Sequence, residues 1–566
     1  MEANKKTLGD IFTGNNVSRI PYFQRSYVWP QEYWERLLED MLNVSEVNEA
    51  YFMGSIIRKE EIDPNEIFKV NNLVDGQQRM TTLFIFFKVL SLVKEEEIFD
   101  DKFIAKVRGH TEVSIRHSRL DRPAFDWVMN LTKLDEVPEE FNNSQVTKAY
   151  EFIRKELQKE KDKYDIWNIY ENLLFVVIDL VHNEDEQQIF DTINSLGIPL
   201  STAELLKNHL FNQNNETEYE QKWYSIFEED EENREYWEQM IDRFLYAYLQ
   251  IITRDNKYSI KSVDRIRYMK FDKLFDSYKH FLKKYMNDDR QALVESLYQS
   301  AQKFRKIFRP NIINRKVHKE DMLERINEII YGLHQETIIP FIFYVELSVK
   351  DQNERAKLYT IIETFFVRRV ITRATTKNYN NLFQDTFISN EINSAEKLVH
   401  YFEKRGSVNG IPSDSEIKDA FNSIKINNRE AKYVLYMIEL ERRNNSNSTD
   451  MLGFSNYELE HLMPKKWRSN WKDITTDGEL SELRDKKLLT LGNLAIISGT
   501  LNSSISNSSW IDKLEGKENK DGLRKLGSGI MTHADVLDIN VWNEEEITIR
   551  ASKLYNEVVK YWPYKL

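Results

Sequence analysis

Val74-Asp75-Gly76-Gln77-Gln78-Arg79-Met80-Thr81-Thr82-Leu83 changes character in the middle. A strand-like lead reaches Asp75, Asp75-Gly76 forms a turn, and an apolar helix is expected from Thr82. A strand passing through a tight turn into a helix places this segment in an α+β unit. The arrangement also has a chemical use. A turn opening a helix offers unpaired backbone N–H groups to an anion, and Arg79 adds a planar fork that matches phosphate. Asp75 is suited to hold a metal ion or orient water, and the Gln77 and Gln78 amides to bind a base, a ribose or a phosphate.

Outward from this segment, the block Ile20-Pro21-Tyr22-Phe23-Gln24-Arg25-Ser26-Tyr27-Val28-Trp29 interleaves aromatics with one cation. Read alone it is either a packed edge or a stacking surface, and packing is favoured. Downstream, Leu173 to Ile178 is a β-rich run set among amphipathic helices. Residues 1–211 therefore read as an α+β unit. Residues 212–405 are charged, aromatic and helically spaced, as in Tyr236 to Ile252 and Ala356 to Arg369, and form a helical connector. A turn-rich break from Gly406 to Pro412 opens a third unit, residues 406–566, with a helix through Ala431 to Arg443.

The whole chain fits this division. At 566 residues it exceeds one ordinary core. It has no run of about 18 uncharged apolar residues, so no membrane span is expected. The polar start Met1 to Lys6 lacks the apolar core of a secretion signal, and a cytoplasmic protein is expected. There is no cysteine, so disulfides, thiol catalysis and zinc–cysteine sites are excluded and any metal must be held by His, Asn or carboxylates. A net charge of −13 argues against coating nucleic acid by bulk attraction. Local attraction remains available: between His461 and Ile530, 12 Lys/Arg face 9 Asp/Glu.

In that stretch, Tyr457-Glu458-Leu459-Glu460-His461-Leu462-Met463-Pro464 alternates like a strand and ends in a carboxylate beside an imidazole. A hydrolytic nuclease needs a base that takes a proton from water and a divalent ion that stabilises charge on the scissile phosphate. His461 is the candidate base and Glu460 the candidate metal ligand. A second strand-like run, Leu491-Gly492-Asn493-Leu494-Ala495-Ile496-Ile497, follows. Asn502, Asn507 and Lys513 then lie in a turn entering a helix.

This C-terminal pattern resembles the HNH, or ββα-metal, nucleases, and specifically the HNH domain of GmrSD-type, modification-dependent restriction enzymes. The resemblance implies that Asn493 braces the loop holding His461. It also implies that a later Asn completes the metal site with Glu460, either Asn502, by its interval from Asn493, or Asn507, by its spacing from Lys513. Glu460 departs from the family, which often has Asp there. At the other end, I-P-x-x-Q-R-x-Y-x-W, then D-G-Q-Q-R-x-T-T-L, then Ile193 to Ser201 leading to Glu204-Leu205-Leu206-Lys207-Asn208, resembles the ParB/sulfiredoxin-like N-terminal domain of the same family. Asp75, Gly76, Gln77, Gln78 and Arg79, with Gln24 and Arg25, are then implied in binding a nucleoside triphosphate. There is no G-x-x-x-x-G-K-[ST], so no conventional P-loop.

The expected fold class is thus α+β and largely helical, with the ββα-metal motif in a helical C-terminal unit. The expected activity, similar to SspE-like phage-defence nucleases, is Mg²⁺- or Mn²⁺-dependent cleavage or nicking of phage or foreign, modified or unmodified, DNA, with NTPase activity in the N-terminal unit. Lys465, Lys466 and Lys513 are candidate DNA contacts, and a homo-oligomer is compatible with this reading. The alternative is a nucleotide-dependent regulator that binds DNA without cutting. Three features are read as background. Glu416-Ile417-Lys418 is a chance acidic triplet, Trp237, Phe244, Tyr246 and Tyr248 are core, and His110, His117 and His334 are surface or helix residues.

Overall fold

A computed structural model describes residues 2–12, 14–47, 49–62, 64–180, 200–212, 215–405, 409–443, 450–471, 478–499, 508–517, 520–527 and 529–565. The chain divides into two compact units, Met1–Asp242 and Arg243–Leu566. Most of the segment expected as a separate connector therefore packs with the C-terminal residues.

The first unit is built on a six-stranded mixed sheet. Its strands are β1 (Glu2–Thr7), β2 (Asn16–Arg19), β3 (Tyr51–Glu60), β4 (Lys69–Asp75), β5 (Ile115–Arg116) and β6 (Leu173–Leu180), in the order β1-β6-β3-β4-β2-β5. The β-rich run at Leu173 is thus a strand lying between β1 and β3. Helices α1 (Gln31–Val47) and α2 (Gln77–Lys94) pack with them. In α2, Met80 and the run from Leu83 to Leu90 are almost entirely buried, so this helix is apolar all round and sits inside the core. The helix starts at Gln77, five residues earlier than expected. Gly76 caps it at φ 97°, a left-handed conformation that costs glycine little and lets β4 turn into α2 without a linker.

His117 is not a surface residue. It is buried behind the first turn of α2, with Nε2 2.9 Å from Thr81 Oγ1 and Nδ1 accepting from Ser118 N at 3.1 Å.

The second unit is mainly helical. Helices α3 (Arg290–Ile307), α4 (Met322–Gly332), α5 (Gln352–Ile371) and α6 (Asn428–Arg442) form its body. Phe244, Tyr246 and Tyr248 are buried in this unit, and Trp237 in the first, as helical spacing predicts. Glu416 closes a capping box with Ser413 at a helix start, which accounts for its position without chemistry. An antiparallel pair, β7 (Tyr457–His461) and β8 (Leu494–Ser498), is followed by α7 (Trp510–Glu515), and α8 (Glu544–Tyr561) ends the unit. Gly492 lets α8 approach: a Cβ there would lie 2.2 Å from the Ile547 carbonyl oxygen. That contact explains the glycine in the Leu491-Gly492-Asn493 turn.

Among the described residues no helix is long and apolar enough to cross a membrane.

Candidate functional sites

The turn between β4 and α2 opens onto a cavity of about 370 Å³, within the ~300–1,000 Å³ range of small-molecule sites. Asp75, Gly76, Gln77, Gln78, Arg79 and Arg25 all line it, whereas Gln24 does not. Gln24 lies behind the wall: its Nε2 donates to the Leu73 and Val74 carbonyls at 2.7 and 3.1 Å, and its Oε1 is buried with no hydrogen-bond partner.

The two glutamines of the turn differ. Gln78 Oε1 accepts from Val28 N at 2.8 Å and its Nε2 donates to the Ser26 carbonyl at 3.0 Å, so this side chain ties the aromatic block to α2. Gln77 keeps a buried Oε1 with no hydrogen-bond partner. The block itself is packed in part: Tyr27 is buried and bonds Thr82 through its hydroxyl, while Arg25 and Trp29 reach the cavity.

Arg79 lies flat against Gly54. A Cβ at position 54 would sit 3.1 Å from three guanidinium atoms, and Arg79 Nη1 donates to the Ser55 carbonyl at 2.9 Å. Gly54 has φ 108°, and the register of β3 against β6 shifts between Phe52 and Ser55. This bulge frees space for the guanidinium and turns Phe52 outward, leaving it 62% exposed at the cavity edge. Burial raises the Asp75 carboxyl above its ordinary value, opposed by the Gly76 N–H and the cations Arg79 and Arg25. Tyr33, Arg36 and Phe52 also line the cavity. Sequence reading missed them because their positions depend on the bulge and on how α1 packs.

In the second unit, Glu460 and His461 lie opposite Ala495 and Leu494 in the β7–β8 pair. Asn493 sits just before β8 rather than on it. Its Oδ1 accepts from Met463 N at 2.8 Å and Trp542 Nε1 at 2.9 Å, and its Nδ2 donates to the Met463 and Leu488 carbonyls at 2.9 and 3.0 Å. A fully buried side chain thus fixes both main-chain polar groups of Met463, two residues after His461. His461 Nε2 is buried with no hydrogen-bond partner. Burial, with Lys465 and Lys513 nearby, lowers its pKa to about 4, so the imidazole is neutral at physiological pH and able to accept a proton.

Lys513 corrects an expectation. It does not face solvent toward DNA: its side chain is wholly buried, paired with the Glu460 carboxylate, and donates to the His461 carbonyl at 2.7 Å. The cause is helical phase, since Trp510, Lys513 and Leu514 share the buried face of α7. Lys465 and Lys466 are exposed, as a DNA contact requires.

Asn502 and Asn507 lie outside the described residues, as does most of the Ile193–Ser201 block. Among the described residues no group of three or more His, Cys, Asp or Glu side chains could hold a metal ion. Among the described residues the carboxylate beside His461 is Glu460, and Lys513 is its ion-pair partner.

Sequence reading also missed the buried side chains behind β8. Arg550 Nη1 donates to the Gly492 and Leu494 carbonyls at 2.9 and 2.7 Å, and His533 Nε2 lies 2.7 Å from the Ile496 carbonyl oxygen. They occupy polar groups that an isolated strand pair would leave open.

Comparison with known proteins adds three findings. Residues 8–211 match the GmrSD restriction endonuclease N-terminal domain, and residues 411–557 match the GmrSD restriction endonuclease C-terminal domain. An uncharacterized protein of Methanocaldococcus jannaschii, MJ0686, is 24% identical over 286 residues, an alignment covering 44% of this chain and 48% of the relative. The chain therefore spans about half the length of that curated relative.

Proposed function

The chain belongs to the GmrSD restriction endonuclease family, and from that premise we propose that it is a metal-dependent DNA endonuclease of phage defence whose cutting is regulated by a nucleoside triphosphate bound in the N-terminal cavity. The observation that carries the cutting activity is His461: a neutral imidazole with an unpartnered Nε2, on a loop held by Asn493.

In this reading His461 takes a proton from water as the water oxygen bonds to phosphorus, and the phosphodiester P–O bond breaks with its electron pair staying on the leaving strand's oxygen, which takes a proton from solvent. Asn493 keeps the imidazole in place. Glu460 is the protein's carboxylate donor to Mg²⁺ or Mn²⁺, and Asn502 or Asn507 a neutral oxygen donor. The ion, when bound, supplies positive charge to the phosphate oxygens. Lys465 and Lys466 contact the DNA backbone. In the N-terminal cavity, Arg79, Arg25 and the first N–H groups of α2 receive phosphates, Asp75 orients water or a metal ion for hydrolysis, and Gln77 offers a polar contact.

A second reading has a specific observation behind it. The Lys513–Glu460 ion pair already neutralises the candidate metal ligand, as expected of a regulator that binds DNA without cutting. Incubation of plasmid and of matched modified and unmodified DNA with Mg²⁺ or Mn²⁺, with and without EDTA and across the four nucleoside triphosphates, separates the two. Metal-dependent nicking supports the nuclease. Binding with no nicking under any condition supports the regulator.

A further inference from the structure

A strongly one-sided run of positive charge lies in neither proposed site. Between residues 303 and 319 there are seven Lys or Arg and no Asp or Glu, in a protein of net charge −13. The stretch covers the last turn of α3 and a short helical turn, Pro310–Asn314. Cations in a last helical turn are common because they complement the helix dipole. That accounts for Arg305 and Lys306, but not for Lys303 one turn earlier or for Arg309, Arg315 and Lys316 beyond the helix.

Lys303, Lys306, Arg309, Arg315 and Lys316 are exposed. The acids that meet this surface are few. Glu324, on α4, pairs with Arg315 at 2.6 Å and more loosely with Arg309 at 3.8 Å, and also accepts from the His318 backbone N–H at 2.9 Å. Glu441 holds Lys319, and Asp450, itself 92% exposed, is 3.2 Å from Lys316. Among the described residues Lys303 and Lys306 hold no ion pair.

The same stretch is fastened to the segment that enters β7. A Cβ at Gly453 would lie 2.4 Å from the Arg315 nitrogen and the Asn314 carbonyl carbon, so the two backbones touch where only glycine fits. Ser455 Oγ bonds Asn314 Oδ1 at 2.8 Å, and Asn456 Nδ2 donates to the Asn314 carbonyl at 3.4 Å. Asn456 immediately precedes β7, and His461 ends it. At ~3.3 Å per residue the strand sets His461 about 17 Å from this junction. That is about five base pairs at ~3.4 Å each.

We propose that the basic surface formed by Lys303, Lys306, Arg309, Arg315 and Lys316 binds the phosphate backbone of duplex DNA, with Arg315 and Lys316 about five base pairs from the phosphate presented to His461. The inference rests on the nuclease reading for its substrate, but it concerns a surface apart from the strand pair. Its chemistry is that of non-specific backbone binding: exposed cations with no base-reading geometry, which position a duplex without selecting its sequence.

The test is binding of a short unmodified duplex to the full chain in EDTA, read by fluorescence anisotropy across a salt series. Lys303→Glu/Lys306→Glu/Lys316→Glu should bind at least tenfold more weakly than wild type. Each lost phosphate contact lowers the slope of log K against log salt by ~0.9, so the slope should fall by about 2 to 3. The matching triple Arg variant should keep both affinity and slope, and a charge-matched control, Lys397→Glu/Lys404→Glu/Lys418→Glu, should change the slope by less than one contact. Unchanged affinity and slope in the first variant, or an equal loss in the control, overturns the inference. The nuclease reading fails separately: wild-type protein that binds DNA with the full slope yet cuts under no metal or nucleotide condition loses the nuclease and keeps the surface.

Discussion

Arg79, half-buried, and Lys513, wholly buried, are two cations that look alike in the sequence and do opposite things in the fold. Each follows a turn at the start of a helix, and each is read from sequence as a phosphate contact. Arg79 lies on Gly54 at the wall of a cavity, with a hydrogen bond to the Ser55 carbonyl and its guanidinium facing space for a ligand. Lys513 is enclosed, its ammonium consumed by Glu460 and the His461 carbonyl. The difference teaches that a cation is available to a ligand when the backbone beside it is cut away, as the β3 bulge does for Arg79. It is a structural tie when it falls on the apolar face of its helix.

The largest effect is expected at the strand pair. His461→Ala should reduce cleavage by about 10²–10⁴-fold, the ordinary worth of a general base, with an unchanged melting temperature. Wild-type nicking by this variant would leave the C-terminal region as structural as Lys513 itself.

Asn493→Ala comes next. It leaves the Met463 N–H, the Trp542 indole N–H and two carbonyls without their buried partner, so about 2–4 kcal/mol of stability should be lost. Cleavage should fall with it, because the loop after His461 loses its anchor. Chemical denaturation beside a nicking assay checks both, and loss of activity at wild-type stability would mean that Asn493 touches substrate instead.

Arg79→Ala should weaken nucleoside triphosphate binding by about 10–100-fold, in line with loss of one charge-assisted pair worth ~1.5–3 kcal/mol. By linkage it should also change the nucleotide response of cleavage. Calorimetric titration reads the first effect and nicking with and without nucleotide the second. A variant that no longer binds nucleotide but responds to it as wild type does would remove the link between the two regions.

The smallest effect concerns the two buried histidines, one behind each region. His117 has a donor on one ring nitrogen and a hydroxyl on the other, which a neutral imidazole satisfies. His533 faces carbonyl oxygens at both nitrogens, Ile496 at 2.7 Å and Gly527 at 3.1 Å, and a neutral ring can donate to only one of them. Burial lowers the pKa to about 3 for His117 and about 4 for His533, where the two carbonyls oppose the fall. Both values lie below the ordinary 6.5, so each histidine contributes stability that is present above pH 6.5 and lost as pH falls toward 4 and 3. Titration followed by NMR should show His533 protonating before His117. The reverse order would mean that the carbonyl contacts at His533 do not favour its protonated form.

Much of this was legible in the sequence. The α+β class with a largely helical remainder, the turn at Asp75-Gly76, the run at Leu173 and the pairing of Glu460 with His461 on a strand end follow from local pattern. Local pattern works where a residue's neighbours in sequence decide its surroundings: glycine at a left-handed turn, alternation along a strand, a polar start before an apolar helix. It misplaced the start of α2 because an apolar run marks the buried part of a helix, whereas the helix itself begins at its cap.

Packing supplied the partners that arrive from far along the chain. Gly54 opens the wall for Arg79, Gln78 binds the backbone of Ser26 and Val28, Trp542 donates to Asn493, and Lys513 reaches Glu460. Each is a contact between segments whose separation in sequence carries no signal of their distance in space. The order of residues sets which chemistry the side chains offer, and packing sets which of them face a ligand and which hold the protein together, because a polar group enclosed by the fold must take its partner from whatever segment the core brings beside it.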